Sequence, residues 1–404
     1  MVTEVAVLGF GVVGSGTVEV LERNSARIAK NAGQRVRVKS ILDVRSFPDS
    51  PHRDKFVNDF ETIENDPDIS VVAETIGGLD PALDYTRRCL KAGKSVVTSN
   101  KELVATHGCE LLKLAGENGV NYLFEASVGG GIPVIRPIVQ CIAGNQISEI
   151  YGILNGTTNY ILSEMIQKGA EFTDALKDAQ KKGYAEADPT ADIEGHDACR
   201  KICILSSLAF GRHLSPEQVP TQGITGITSD DMRFAAELGY RIKLLGRARA
   251  VGDKVAAYVE PHLVSCDNLL SNVNGVMNGV VVRGNAVGDV MFYGAGAGRL
   301  PTASAVTADI IDAVKHRYAR KLIGWGEGGA DFAADPAQLA SAWYVRTDAK
   351  REKVERVFGG VVFAGENDGA TIAFKTGFMN AKMIRGLIDH GVPALSLFRI
   401  LGDH

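Results

Sequence analysis

Among its six cysteines the sequence has no Cys-x-x-Cys pair, and it has no histidine pair at zinc-site spacing. Structural zinc and a disulfide scaffold are therefore set aside. Cys199 and Cys203 lie four apart on a presumed helix, which suits packing better than a bridge. No apolar run reaches the roughly 18 residues that a membrane helix requires. No basic-then-apolar leader opens the chain, since TEVAVLGFG reads at once as a strand. No charge of one sign dominates: 44 basic residues stand against 48 acidic ones, a formal net charge of −4. Neither nucleic acid nor an anionic membrane is expected as a partner. A cytoplasmic location is the expectation that follows.

What the chain does have is core-forming residues, 45% of 404, enough for two or three domains. The first third alternates apolar strands with helical patterns: strand 3–9, helix from Val12 to about Ala32, strand RVRVKSILDV, strand ISVVAETIG, helix DPALDYTRRCLKAG, strand KSVVTSN, helix KELVATHGCELLKLAGENG and strand VNYLFEAS. That order predicts a doubly wound parallel α/β sheet of the Rossmann type. Between the first strand and helix, Gly9, Gly11 and Gly14 give G-x-G-x-x-G. Gly9 makes the tight turn, Gly11 admits a pyrophosphate and Gly14 lets helix and strand pack closely. The phosphates then meet the positive helix N-terminus, so Phe10, Val12 and Val13 join the glycines as expected cofactor contacts. Thr75, Ser99, Asn100 and Lys101 fall at strand carboxyl ends, where such sheets bind ligands. The second strand ends LDVRS. Asp43 suits a ribose 2′-hydroxyl and Arg45 a 2′-phosphate, so the cofactor is read as NADP or NAD, with Arg45 favouring NADP.

Three stretches follow the sheet. EASVGGGIPVIRPI holds three consecutive glycines, the mark of a hinge or of a loop whose carbonyls ligate a hard cation. ILNGTTNYIL is a strand, a polar turn and a helix, with Thr157 or Thr158 as cap or as substrate contact. GYAEADPTADIEGHDACRKICIL packs five carboxylates ahead of Arg200 and Lys201, and the helix read over Ile193 to Phe210 is apolar nearly all round beyond Lys201. Asp197 and Lys201 are four apart and share one helix face. A lysine entering a core costs several kcal/mol, of order, unless paired. Burial lowers its pKa and Asp197 raises it, which suits a lysine to proton transfer. Glu186, Asp188, Asp192 and Glu194 lie upstream, placed to surround an ammonium group.

VLGFGVVGSG, SNKELVA, EASVGGGIPVI, ILNGTTNYIL, GYAEADPTADIEGHDACRK and YGAGAGRLPTASAV, in this order from the first residues to about residue 310, resemble homoserine dehydrogenase. The resemblance implies NAD(P)-dependent interconversion of L-homoserine and L-aspartate 4-semialdehyde, a step toward threonine, methionine and isoleucine. By motif, it implies Lys201 as the proton-transfer residue and Lys101 as its assistant between nicotinamide and substrate. It gives Glu186, Asp197 and Asp192 to the substrate, with Gly183 and Thr157 lining the same site. It implies a monovalent cation, sodium, on Glu125, Val128, Gly130 and Ile132, largely through carbonyls. It places Gly298 under the nicotinamide and Thr302 at the start of the helix that rejoins the first domain. It also implies a homodimer or homotetramer.

The expected division is a nucleotide-binding domain at 1–133 with a return helix at 300–318, then an α/β substrate and dimerisation domain at 134–299. A linker at 319–337 and a small module at 338–404 complete it. The module reads as β-α-β-β-α-β, with strands SAWYVRTD, VVFAGEND, GATIAFKTG and ALSLFRIL, and resembles the ACT module. It departs from that pattern at the first turn, where TDAKREK replaces Asp-x-Pro-Gly, which favours assembly over effector sensing. A dehydrogenase of a related semialdehyde and an amino-acid sensor on a dead enzyme are the two rival readings. The first needs an exposed, activated cysteine. The second sits poorly with Lys101, Lys201, Glu186 and Asp197 all being present.

Overall fold

The computed structural model describes residues 2–319, 321, 323–365 and 370–402. Its first sheet is parallel and six-stranded: β1 (Val2–Leu8), β2 (Arg35–Leu42), β3 (Phe56–Val57), β4 (Ile69–Glu74), β5 (Ser95–Thr98) and β6 (Tyr122–Leu123), in the order β3-β2-β1-β4-β5-β6. Val5, Ala6, Val7 and Leu8 are all buried, because helices cover both faces. These are α1 (Val12–Arg23), α2 (Ser25–Ala32), α3 (Glu61–Glu64), α4 (Ala82–Lys91) and α5 (Lys101–Glu117). The order reverses beside β1 and opens a cleft at the carboxyl ends of β1 and β4. The single helix expected over 12–32 is two, broken at Asn24 (φ −106°, ψ 19°). The stripe Thr17, Val18, Leu21 has no apolar successor at Ser25, and it restarts at Ile28 and Ala32.

The second sheet has nine strands, β11-β10-β7-β8-β9-β15-β12-β14-β13. Five belong to the middle of the chain: β7 (Ile147–Ile153), β8 (Tyr240–Val251), β9 (Lys254–Ser265), β10 (Met277–Gly284) and β11 (Gly288–Ala295). Helices α6 (Gly156–Lys168), α7 (Phe172–Lys181), α8 (Thr190–Ile193), α9 (His196–Phe210) and α10 (Ser229–Glu237) accompany them. The helix expected from Ile193 starts at His196 instead, since Gly195 takes φ 84° and separates it from α8. α11 (Arg299–Lys315) returns to the first sheet and packs on α1. Gly16 permits the approach, because a methyl there would press on the Arg299 carbonyl.

The tail runs β12 (Ala342–Thr347), α12 (Arg351–Phe358), β13 (Val362–Phe363), β14 (Ile372–Lys375), α13 (Ala381–Asp389) and β15 (Ser396–Ile400). The strand expected over VVFAGEND is only Val362–Phe363 among the described residues, and Glu366, Asn367 and Asp368 lie outside them. The tail's strands are antiparallel to one another. They are not a separate sheet: β15 runs parallel to β9 through Arg399↔His262 and Ile400↔Leu263. Buried Asp231 on α10 fastens the tail from the side. It accepts from Arg346 Nε (2.7 Å), Ser396 Oγ (3.0 Å) and Tyr344 Oη (3.1 Å). The segment read as a linker is held too. Trp325 is buried against Phe124 and His213, and Phe332 is buried beside β9.

Candidate active site

At the nucleotide cleft the glycine loop is built as its pattern requires. Gly9 takes φ 88°, and a methyl on Gly14 would overlap the Gly9 carbonyl. Thr75 braces the turn, its Oγ1 donating to the Leu8 and Gly9 carbonyls at 2.9 Å each. Asp43 Oδ2 accepts from the Phe10 amide (2.6 Å), tying the loop to the end of β2. Arg45 closes on the same carboxylate through Nε (2.9 Å) and Nη2 (2.9 Å). Those bonds, reinforced by the backbone amides, bring the Asp43 carboxyl down to about 2. A cavity of about 340 Å³ lies between these groups and Thr75, Pro81 and Tyr85. Val12 is exposed at the start of α1, and Phe10 and Val13 are half-buried. On the far side Gly298 (φ 120°) leads into α11, where the Thr302 amide donates to its carbonyl.

Ser99 follows β5 directly, and its amide reaches the Glu74 carbonyl at 3.4 Å. Asn100 caps α5, its Oδ1 accepting from the Leu103 amide (3.1 Å) and its Nδ2 donating to the Gly78 carbonyl (2.6 Å). Lys101 therefore stands on the first turn of α5 and points away from the first sheet toward α9. Arg200 and Glu102 pair at 2.9 Å beside it and hold the two helices together.

On α9, Asp197 and Lys201 are both buried. Lys201 Nζ donates to Asp197 Oδ2 (2.8 Å) and to the Leu154 carbonyl (2.8 Å). Lys101 Nζ meets Asp197 Oδ1 at 2.5 Å, so one carboxylate serves two ammonium groups. Burial opposes the charge on Asp197. Lys201, Lys101 and Asn155 outweigh it and hold the carboxyl far below the usual carboxylate range. The two lysines then part company. Lys201 is driven below the ordinary lysine value by burial, against the pull of Asp197. For Lys101, whose side chain is 41% exposed, Asp197 overcomes burial and the value rises. The site thus holds one poised ammonium and one firmly charged one, a pairing suited to moving a proton at an oxygen while a neighbouring positive charge stays fixed.

A sequence profile for homoserine dehydrogenase matches residues 133–311, and one for its NAD binding domain matches residues 9–125. A homoserine dehydrogenase of Pseudomonas aeruginosa is 47% identical over 313 residues, 77% of this chain and 72% of that one. The chain belongs to the homoserine dehydrogenase family. It is an oxidoreductase with that family's NAD(P)-dependent activity. The crystal structure of a homoserine dehydrogenase from Thiobacillus denitrificans superposes with a TM-score of 0.90 at 36% identity, covering 99% of this chain and 98% of that one. A hyperthermophilic archaeal homoserine dehydrogenase in complex with NADPH superposes at 0.66 and 29% identity, over 78% of this chain and 98% of that one.

Against the family motifs, the structure brings Lys101, Asp192, Asp197 and Lys201 into one cluster. Thr157 instead holds the neighbouring loop, its Oγ1 donating to the Tyr184 carbonyl (2.7 Å) next to Gly183 (φ 74°). Glu186 is not drawn in: its side chain is exposed, and its carbonyl accepts from Gln180 Nε2 at 3.1 Å. Neither Thr157 nor Thr158 caps α6. The cap is Asn155, whose Oδ1 accepts from the Thr158 amide (2.8 Å) and Oγ1 (3.0 Å). Asn155 is also a side chain of this cluster that sequence reading missed: its Nδ2 donates to Asp192 Oδ1 (2.7 Å) and Asp197 Oδ2 (2.8 Å). The Asn-Gly pair read as a turn, and a turn asparagine gives no sequence signal for two carboxylates some 40 residues on.

Proposed function

We propose that Lys201 is the proton-transfer residue of this homoserine dehydrogenase. The observation that carries the reading is the buried Lys201 with its pKa lowered, held at 2.8 Å by both Asp197 and the Leu154 carbonyl. Two of its ammonium hydrogens are spent there, which leaves the third for the substrate oxygen. In the oxidising direction unprotonated Lys201 takes the hydroxyl proton of L-homoserine as the carbinol C–H bond breaks. In the reducing direction the ammonium returns that proton to the aldehyde oxygen of L-aspartate 4-semialdehyde. Bound nicotinamide supplies the hydride chemistry. Lys101 keeps its charge beside the same oxygen and stabilises negative charge developing on it. Asp192, with Glu186 brought in from its exposed loop, takes the substrate ammonium, and Gly183 and Thr157 shape the pocket's edge.

Arg45 at the cavity rim favours NADP over NAD in our reading, in keeping with the NADPH bound by the archaeal relative. The cation site is proposed on the carbonyls of Glu125, Val128, Gly130 and Ile132. The Glu125 side chain is already engaged by the Val134, Ile135 and Arg136 amides at 2.7 to 2.8 Å, which leaves its carbonyl for the ion. Oxygen donors of this kind suit sodium. The tail is proposed as an ACT-like assembly element in a homodimer or homotetramer. The missing Asp-x-Pro-Gly turn and the fusion of its sheet to β9 support that role. Six unbridged cysteines suit a reducing cytoplasm, and no described helix is long and apolar enough to cross a membrane.

Reduced-cofactor formation from L-homoserine, with NAD⁺ and NADP⁺ in parallel, tests the assignment when the Lys201→Ala protein is run beside the parent. The expected result is loss of turnover with NADP⁺ binding kept. Normal turnover in Lys201→Ala removes Lys201 from the chemistry.

A further inference from the structure

We infer that Asn155 is a positioning residue that sets the distance between the two ends of the substrate, an inference that rests on the site reading above. Its amide has two hydrogens, and each goes to a different carboxylate: Asp192 Oδ1 at 2.7 Å and Asp197 Oδ2 at 2.8 Å. Its oxygen is equally committed, to the Thr158 amide and hydroxyl. Turning the amide over would set an oxygen against two carboxylates and an NH₂ group against an N–H, so its surroundings fix the orientation. Asn155 is itself buried, at the junction of β7 and α6.

Each partner of Asn155 has a separate task. Asp192 takes the amino-acid end of the substrate, and Asp197 orients the lysine at the reacting end. One neutral side chain joins the two, with the neighbouring Leu154 carbonyl on the lysine itself. Leu154 and Asn155 thus grip both members of the Lys201–Asp197 pair from the end of one strand. A neutral donor is the group this position requires. A carboxylate would repel both neighbours, and an ammonium would compete with Lys201 for Asp197. By donating to Asp197 Oδ2, Asn155 also draws off negative charge that would otherwise strengthen the hold on Lys201, and so helps keep Lys201 poised.

The bridging role separates from the capping role. Serine and aspartate both cap helices about as well as asparagine, yet serine does not reach the two carboxylates and aspartate has no hydrogens to give them. In Asn155→Ser and Asn155→Asp we expect NADP⁺ affinity to be kept, KM for L-homoserine to rise, and kcat to fall by about 10- to 100-fold, the scale of a misplacement near 1 Å. The limb of the kcat pH profile set by Lys201 moves to higher pH in both, further in Asn155→Asp. Adding Asp192→Asn to Asn155→Ser produces less than the product of the single effects, because the two share one contact. Should either variant retain parental kcat, KM and pH profile while Lys201→Ala is inactive, the positioning role is overturned and the lysine assignment stands. Parental kinetics in both Asn155→Ser and Lys201→Ala overturn the site reading itself. A fall in kcat without a pH shift, or with independent Asp192 and Asn155 effects, overturns the bridge between the two carboxylates.

Discussion

Lys101 Nζ and Asp197 Oδ1 stand 2.5 Å apart, and they belong to different sheets' helices. The contact closes the cleft between the nucleotide-binding part and the part that carries Lys201. It also means that the charge of one lysine sets the working range of the other.

Removing that charge is expected to act on Lys201. Burial lowers the Lys201 value first, and the positive charge of Lys101 lowers it further against the pull of Asp197. In Lys101→Met the second influence is gone, so Lys201 titrates at higher pH. On the proposed role of Lys201, oxidation of L-homoserine needs that lysine unprotonated. Its rate should fall at neutral pH and recover in part as the pH is raised. A kcat profile with its limb unmoved would separate the two lysines.

Arg45→Ala is expected to raise the Kd for NADP⁺ by about tenfold or more, the scale of one charge-assisted hydrogen bond. The Kd for NAD⁺ should change by about twofold at most, since Asp43 stays bound to the Phe10 amide. Fluorescence titration with both nucleotides reads the difference. Equal losses for both would show that Arg45 holds the loop rather than a 2′-phosphate.

His262 on β9 is fully buried, and burial with Arg247 nearby brings it down to about 3. The unfolded chain takes up its proton near pH 6.5, so below that the unfolded state binds more protons. Stability from this group is intact above pH 6.5 and is lost progressively as the pH falls toward 3, by a few kcal/mol, of order. Urea denaturation from pH 7 to pH 4 should show a shallower loss in His262→Gln than in the parent. Parallel curves would assign the acid loss elsewhere.

Asp231→Ala removes the carboxylate on which Arg346, Tyr344 and Ser396 converge. Leaving a buried guanidinium unpaired costs about 3–5 kcal/mol. A first unfolding step at lower urea is expected, confined to the tail as read by Trp343 fluorescence. One unchanged transition would mean that β15 and β12 hold the tail without this anchor.

How much of this was legible in the sequence depends on how local each signal is. Gly9, Gly11 and Gly14 between a strand and a helix are a short-range pattern, and the first sheet follows it. The Asp197–Lys201 pair also showed, because four residues on a helix fix a face. Asn155 did not, since its capping is local while its partners lie 37 and 42 positions away. The break at Asn24 was hidden for another reason: the apolar stripes of the two helices are in phase, and only polar Ser25 interrupts them. The register of β15 on β9 depends on tertiary packing that no run of residues encodes.

That last pairing has a mechanical meaning. The tail is the far end of one continuous plate, joined to it along two residue pairs. A body pressing on its outer strands loads the plate edgewise, and β9 receives the load first. Across β8 and β9 lies α9, the helix on which Lys201 rides. From the rim strand β13 a push passes through β14, β12, β15 and β9 before it reaches that helix.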